Sequence, residues 1–206
     1  MPVWRELLAD LITPVAAFAR LCGDDQPGFL FESVEHGERW SRFSFVGRNP
    51  IATLVLRNGL VSVDGDLPAA MPRDKGILAA IEWLLAAYRS PKIDSLPPLH
   101  GGVVGYLGYD VVREVEDLAE TPRDATGYPD AVMAVIGQLA AFDHFRQRVT
   151  LIDNVLVPEG ASSSELDQLY DEAIVRLEQL AEEAEQKDFG QVARAAKKSL
   201  MAIPLN

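Results

Sequence analysis

The chain has 206 residues, a formal net charge of −12 and a hydrophobic fraction of 48%, which is ordinary for a protein that buries a core. Its acidity argues against extensive binding to nucleic acid or to an anionic membrane surface, because both would repel it. Cys22 is the only cysteine, which excludes an intrachain disulfide, and no long apolar run or signal-like amino terminus occurs, so we predict a cytoplasmic protein.

A helix is predicted near the amino terminus. Thr13 and Pro14 are typical of an N-cap followed by proline at the first helical position. Apolar residues then recur at helical spacing as far as Cys22, and Gly23 is the predicted end.

Several strands are predicted between residues 29 and 63. The apolar triplet Phe29-Leu30-Phe31 and the segment Phe43–Val46 both favour strands, and Ile51–Leu56 is apolar on both faces. Asn58-Gly59 suits a two-residue hairpin turn, with residues 60–63 as the returning strand.

A second helix is predicted after Asp74, which can act as its N-cap. Ser90-Pro91 ends this helix, and the proline-rich stretch as far as Pro98 is predicted to be a loop. Its apolar stripe consists of Ile77, Ile81, Leu84 and Tyr88.

Two further strands and a long helix are predicted in the last part of the chain. Val132–Phe142 and Val149–Val157 indicate strands joined by Asp143–Gln147, with antiparallel pairing as the simplest outcome. Ser162 and Glu165 form a capping box. The apolar stripe that follows consists of Leu166, Tyr170, Ala173, Leu177, Leu180 and Ala184. Because no repeated βα alternation occurs, the predicted fold class is α+β with a mainly antiparallel β-sheet.

Motifs for independent catalysis are weak. The glycine spacing in Gly101–Asp110 fits neither dinucleotide nor phosphate-loop patterns, so we interpret these glycines as sites where a strand bends or packs against another backbone. The three histidines are far apart in the sequence, and no metal site is predicted from them. The carboxylate pairs Glu114/Glu116 and Glu182/Glu183 are expected on solvated faces. No serine-nucleophile motif occurs.

The segment around Glu32 and Ser33 is the strongest candidate for ligand binding. It follows an apolar strand, so a carboxylate and a hydroxyl are expected at the strand end, where they can receive an amino group. A solvated loop is the alternative that the residues alone leave open.

Three ordered blocks of sequence resemble the large subunit (component I) of anthranilate synthase. The first is GFLFESVEHGERWSRFSFVGRNP, Gly28–Pro50, which is similar to the Leu-Leu-Glu-Ser and Gly-Glu-Arg-Trp motifs of that family. The others are Leu99–Leu118 and Tyr128–Ile152, and the similarity extends from about Thr13 to Glu185.

The resemblance implies a role in tryptophan biosynthesis. The family converts chorismate to anthranilate with magnesium and with ammonia that a glutamine amidotransferase subunit supplies, and its amino-terminal region forms much of the tryptophan feedback site. Carried over to this chain, the tryptophan-binding residues are Leu30, Phe31, Glu32 and Ser33, with phenylalanine in place of the second leucine. Arg39, Trp40 and Ser41 are possible flanking residues.

The carboxy-terminal catalytic blocks of the family, such as Asp-Leu-Ile-Arg-Asn-Asp and Gly-Ser-Pro-Glu, do not occur in this sequence. The predicted organisation is therefore a regulatory domain over residues 1–185 and an atypical basic tail over residues 186–206, with no chorismate-binding domain. The tail has four basic residues and one acidic residue, whereas Glu159–Glu185 has nine acidic residues and one arginine. We expect no catalytic residue, metal or cofactor in this chain and no anthranilate production by it alone.

Three alternatives remain from the sequence. The chain could derive from aminodeoxychorismate synthase component I of folate synthesis, which shares the amino-terminal region. It could be an interaction module for a separate catalytic half or for the amidotransferase subunit. It could also be a remnant without function, in which case a broad exposed apolar patch or an unpaired sheet edge is expected.

Overall fold

The computed structural model describes residues 1–9, 12–23, 26–32, 42–90, 92–118 and 127–185. The strands are β1 (Pro2–Leu8), β2 (Gly28–Phe31), β3 (Phe43–Arg48), β4 (Ala52–Arg57), β5 (Leu60–Gly65), β6 (Val103–Leu107), β7 (Ala131–Val135), β8 (Gln138–Asp143) and β9 (Arg148–Asn154). The helices are α1 (Pro14–Cys22), α2 (Gly76–Ala87), α3 (Ser163–Glu185) and a 3₁₀ helix (Tyr109–Glu114). All strand pairs are antiparallel, which confirms the α+β class. Within the described ranges, no helix combines the length and apolar character that a membrane span requires.

The chain divides into two compact units. The first contains Met1–Pro50, Ser90–Gly101 and the described chain from Ile136 onward, and the second contains Ile51–Arg89 and Gly102–Val135. The backbone therefore passes between units at four points: after Pro50, Arg89, Gly101 and Val135. The boundary predicted at residue 185 stays a prediction, because residues 186–206 lie outside the described ranges.

The first unit is a five-stranded sheet, ordered β1-β9-β8-β3-β2, with α1 and α3 on one face. Its core lies between that face and the helices, where Val46, Leu151 and Leu177 are at most 2% exposed. Burying each such side chain contributes roughly 1.5–3 kcal/mol, so this packing fixes the position of both helices.

All three predicted helices are confirmed, and the predicted start signals of α1 and α3 are confirmed as well. The Thr13 hydroxyl accepts a hydrogen bond from the Ala16 amide at 3.2 Å, and Pro14 opens α1. At the start of α3, Glu165 accepts from the Ser162 amide at 2.8 Å and the Glu165 amide donates to the Ser162 hydroxyl at 3.3 Å, which is the predicted capping box. The predicted stripe of α3 is buried only in its later part, since Leu166 and Tyr170 are exposed.

The second unit is a four-stranded sheet, ordered β5-β4-β7-β6, with α2 against β4 and β5. The predicted hairpin is confirmed: Asn58 and Gly59 have φ values of 51° and 76°, the positive values that this tight turn requires. The glycine interpretation also holds, because a Cβ at Gly105 of β6 would lie 1.9 Å from the Val132 carbonyl oxygen.

Two expectations for the second unit are wrong. Asp74 does not cap α2. Instead the Glu114 carboxylate accepts hydrogen bonds from the Ile77 and Leu78 amides at 2.8 and 2.9 Å, so Glu114 is not a solvated surface acid. This cap lies 36 residues or more away in the sequence, where local patterns give no sign of it.

The strand assignments also need correction at two places. The predicted strand Val132–Phe142 is two strands, β7 and β8, which belong to different sheets and are separated only by Ile136 and Gly137. Strand β1 was not anticipated. It is an edge strand with four exposed residues, so its sequence has no clean apolar alternation.

Candidate functional site

The proposed ligand-binding residues begin on β2, an edge strand of the five-stranded sheet that pairs only with β3. Leu30 is half-buried against the helix-covered core, Phe31 is 47% exposed, and Glu32 follows the strand directly and is exposed. Ser33, Arg39, Trp40 and Ser41 lie outside the described residues. Leu30 and Phe31 end strand β2 and Glu32 follows it directly, and the role of these residues in ligand binding stays a prediction.

Four phenylalanines form what we term the aromatic row: Phe29, Phe31, Phe43 and Phe45. Phe31 lies opposite Phe45 in the β2–β3 register. The ring centroids of Phe29 and Phe31 are 4.9 Å apart, and those of Phe43 and Phe45 are 6.0 Å apart. Because side chains alternate along a strand, the row lies on the sheet face opposite Leu30 and Val46, away from the helices. Its rings are partly exposed on that face, with Phe31 the most exposed at 47%.

Arg42, the residue directly before β3, forms an ion pair with Asp143. Asp143 at the end of β8 accepts hydrogen bonds from Arg42 Nε at 3.0 Å and Nη2 at 2.6 Å. The same carboxylate accepts from the Phe145 and Arg146 amides, both at 3.1 Å, and so closes the β8–β9 turn. Burial alone would raise the pKa of Asp143, but the Arg42 guanidinium and the two amides outweigh it and hold the pKa below its ordinary value.

A second polar network joins α3 to the other end of the sheet. Arg48 donates to Gln138 Oε1 at 2.9 Å and to the carboxylate of Glu183. Gln138 donates to Asp153 at 3.1 Å, and Asp153 receives Arg176 Nε and Nη2 at 3.0 and 2.8 Å. Sequence reasoning missed this network, although Gln138 and Asp153 are polar residues inside otherwise apolar strands, which is the signal that could have found it.

A cleft of about 570 Å³ adjoins one end of the aromatic row. Arg42, Phe43 and Asp143 line it, together with Glu6 and the loop residues 92–98. Two carboxylates here are already paired, since Glu6 accepts from Arg148 at 2.8 Å and Asp143 accepts from Arg42. Phe43 is thus shared between the aromatic row and the cleft, whereas Leu30, Phe31 and Glu32 do not line it.

The histidines that the structure describes have structural partners. His100 Nδ1 is 3.0 Å from the Pro97 carbonyl oxygen, and His144 Nε2 is 2.7 Å from the Ser44 hydroxyl. Among the described ranges, no three His, Cys, Asp or Glu side chains come together as a possible metal site.

In fold, the chain is similar to proteins of the anthranilate synthase component I class. The solved structure of component I from Streptococcus pneumoniae matches 90% of this chain and 38% of that chain, with a TM-score of 0.55 and 22% identity. No family model matches the chain.

Sequence comparison with curated proteins is more specific. Anthranilate synthase component 1 of Mycolicibacterium smegmatis is 35% identical over 178 residues, which is 86% of this chain and 34% of the relative. The Mycobacterium tuberculosis protein of the same name is 36% identical over 182 residues, again 86% of this chain and 35% of the relative. Over the matched residues the chain is similar to anthranilate synthase component 1 proteins, and it spans about a third of the length of these relatives.

Proposed function

We propose that the chain acts in cytoplasmic tryptophan biosynthesis as the amino-terminal, regulatory part of an anthranilate synthase component I. The observation that carries this proposal is the match to curated component 1 proteins over 86% of the chain at 35% identity. It favours anthranilate synthase over aminodeoxychorismate synthase as the origin. The chain spans only 34% of that relative, so we expect the purified chain to form no anthranilate from chorismate, ammonia and magnesium. Anthranilate is detected by its fluorescence, and its formation would contradict this expectation.

The ligand we propose is L-tryptophan, bound at Phe31, Glu32 and Ser33. An exposed carboxylate can accept the ligand ammonium group through charge-assisted hydrogen bonds. The exposed ring of Phe31, next to Glu32 on an edge strand, offers a face on which an indole can pack. Leu30 supports the strand from the core side, and the resemblance suggests Ser33, Arg39, Trp40 and Ser41 as further contacts.

We propose weak binding, because the resemblance implies that the rest of the pocket belongs to a part of the relatives that this sequence does not span. An incomplete pocket loses both desolvated contacts and preorganisation. The glutamine amidotransferase subunit, or a separate catalytic half, is the proposed protein partner.

Magnesium is not part of the proposal for this chain. The described residues gather no three ligand-type side chains, so no residue of this chain is assigned to the ion.

Titration calorimetry with L-tryptophan tests the site. We expect Glu32→Gln to weaken binding about tenfold, because the ammonium group loses a charged acceptor. Indole-3-propionamide has a neutral amide tail and no ammonium group. It should therefore bind the wild-type chain as weakly as tryptophan binds Glu32→Gln.

Glu116→Gln is the matched control, because Glu116 is exposed and belongs to the other unit. It should bind tryptophan as the wild type does. Absence of heat with the wild-type chain would refute the site. Binding of tryptophan by Glu32→Gln and by Ser33→Phe as tight as that by the wild-type chain would also refute it.

A further inference from the structure

We infer that the cleft of about 570 Å³ beside Phe43 is a binding site for a small carboxylate that carries an apolar ring. All of its lining residues belong to the first unit, and its volume is typical of a small-molecule site. The described residues of the proposed tryptophan site, Leu30, Phe31 and Glu32, do not line the cleft, so the two sites are separate.

The carboxylates in the lining do not repel an anion as free carboxylates would. Asp143 accepts hydrogen bonds from Arg42 Nε at 3.0 Å and Nη2 at 2.6 Å. Glu6 accepts from Arg148 Nη1 at 2.8 Å. Each of these acids therefore has a cation in direct contact, and the negative charge that it presents to the cleft is largely cancelled.

Arg146 supplies a positive charge that no acid cancels. Its amide donates to Asp143 at 3.1 Å and so fixes its place in the β8–β9 turn. Its guanidinium is exposed, lines the cleft, and has no hydrogen bond or ion pair with any residue that the structure describes. The remaining carboxylate of the lining, Asp94, lies 3.7 Å from Lys92 Nζ. The cleft therefore has one cation in excess, in a chain whose net charge is −12.

The loop that contains Leu96 and Pro97 gives the cleft an apolar wall, and Phe43 belongs to the same lining. Two hydrogen bonds hold this loop: the Leu96 amide donates to the Ile93 carbonyl oxygen at 3.1 Å, and His100 Nδ1 lies 3.0 Å from the Pro97 carbonyl oxygen. A wall that is ordered before the ligand arrives lowers the entropic cost of binding.

The charge and the wall together define the class of ligand. A guanidinium binds a carboxylate through two parallel hydrogen bonds. A neutral apolar ligand would leave the guanidinium without an acceptor, and an inorganic anion would leave the apolar wall in water. A carboxylate with a ring satisfies both parts of the lining.

Protein-observed NMR titration of the whole chain with benzoate tests the site, because benzoate has only a carboxylate and a ring. Benzamide lacks the charge, and acetate lacks the ring. We expect benzoate to bind with a dissociation constant of about 1 mM, and each of the other two probes to bind at least about tenfold more weakly. Absence of benzoate binding, or binding of either other probe as tight as that of benzoate, would overturn the inference.

Arg146→Gln tests the cation. The variant keeps the backbone amide that closes the turn, and we expect it to raise the benzoate dissociation constant about fivefold to tenfold. Arg73→Gln is the matched control, because Arg73 is also an exposed arginine but belongs to the second unit. It should stay within about twofold of the wild type, since it removes the same charge without changing the lining. Unchanged benzoate binding by Arg146→Gln, or an equal loss in both variants, would overturn the inference.

The pair of Glu6 and Arg148 provides a test that a purely structural role would fail. Arg148 does not line the cleft, but Arg148→Gln leaves the Glu6 carboxylate unpaired there. We expect benzoate binding to weaken about threefold, because the ligand then meets an uncompensated negative charge. Adding Glu6→Gln to this variant should restore the wild-type affinity. Failure of the double variant to restore it would show that the cleft does not select for an anion and would overturn the inference.

Discussion

Cys22 shows how closely one side chain is fitted into the first unit. It is 3% exposed, and its thiol donates a long hydrogen bond to the Gly47 carbonyl oxygen at 3.6 Å. A Cβ at Gly28 would lie 2.3 Å from the Cys22 sulfur, so glycine is required there by the space that the thiol occupies. Burial raises the pKa of Cys22 to about 11, against a smaller opposing effect of the Arg48 charge.

The raised pKa makes stability depend on pH in the alkaline range. The unfolded thiol ionises near its ordinary pKa, whereas the folded thiol stays neutral up to about pH 11. The unfolded state therefore loses its proton first. The contribution of the neutral thiol to the free energy of unfolding is complete below about pH 8.5 and is lost as the pH rises towards 11. Each pKa unit corresponds to about 1.4 kcal/mol.

We expect the wild-type chain to lose about 2 kcal/mol more unfolding free energy than Cys22→Ala between pH 8 and pH 11. Urea unfolding at several pH values measures the difference. Parallel curves for the two proteins would contradict it. Slow alkylation of the native thiol at pH 8, with rapid alkylation in urea, provides an independent check.

At the scale of elements, the sequence predicts what is local and misses what is distant. The α3 helix and the β4–β5 hairpin were predictable because the capping box and the Asn58-Gly59 turn lie within a few residues of the structure they define. The division between β7 and β8 was not predictable, because Ile136 and Gly137 continue an apolar run without a polar break. The same contrast applies near the candidate site. The position of Glu32 at a strand end was predictable from the apolar residues just before it, whereas the Arg42–Asp143 pair was not, because it joins residues 101 positions apart.

The cap of α2 leads to a prediction about an element. Glu114 accepts from two free amides at the helix start, and Gly76 has a φ of 84° with the Glu114 carboxylate 2.4 Å from where a Cβ would be. We expect Glu114→Ala to cost about 1–2 kcal/mol of unfolding free energy, because both amides lose their acceptor.

Chemical denaturation followed by circular dichroism measures this cost. Glu116→Ala is the control, since Glu116 is exposed and should change stability by less than about 0.5 kcal/mol. Equal stability of Glu114→Ala and the control would show that α2 does not need this cap.

At the scale of the whole molecule, the prediction of a mainly antiparallel α+β fold was correct, but the separation into two sheets was not visible from the sequence. Both sheets use short antiparallel strands of similar composition, so residue patterns do not show which strands pair. The second unit also exposes large apolar side chains between residues 106 and 128, including Tyr109 at 88% and Val115 at 69%. Exposed apolar surface is typical of protein contacts, and it is also what the sequence analysis expects of a remnant without function, so it agrees with both alternatives.

The backbone passes between the two units four times, and this limits how recombination can exchange the units. The first unit is assembled from three stretches of chain and the second from two, interleaved along the sequence. A single recombination event in the gene would therefore leave at least one unit with strands from two different parents. We expect the stretches that build each unit to have diverged together, rather than to have been exchanged separately.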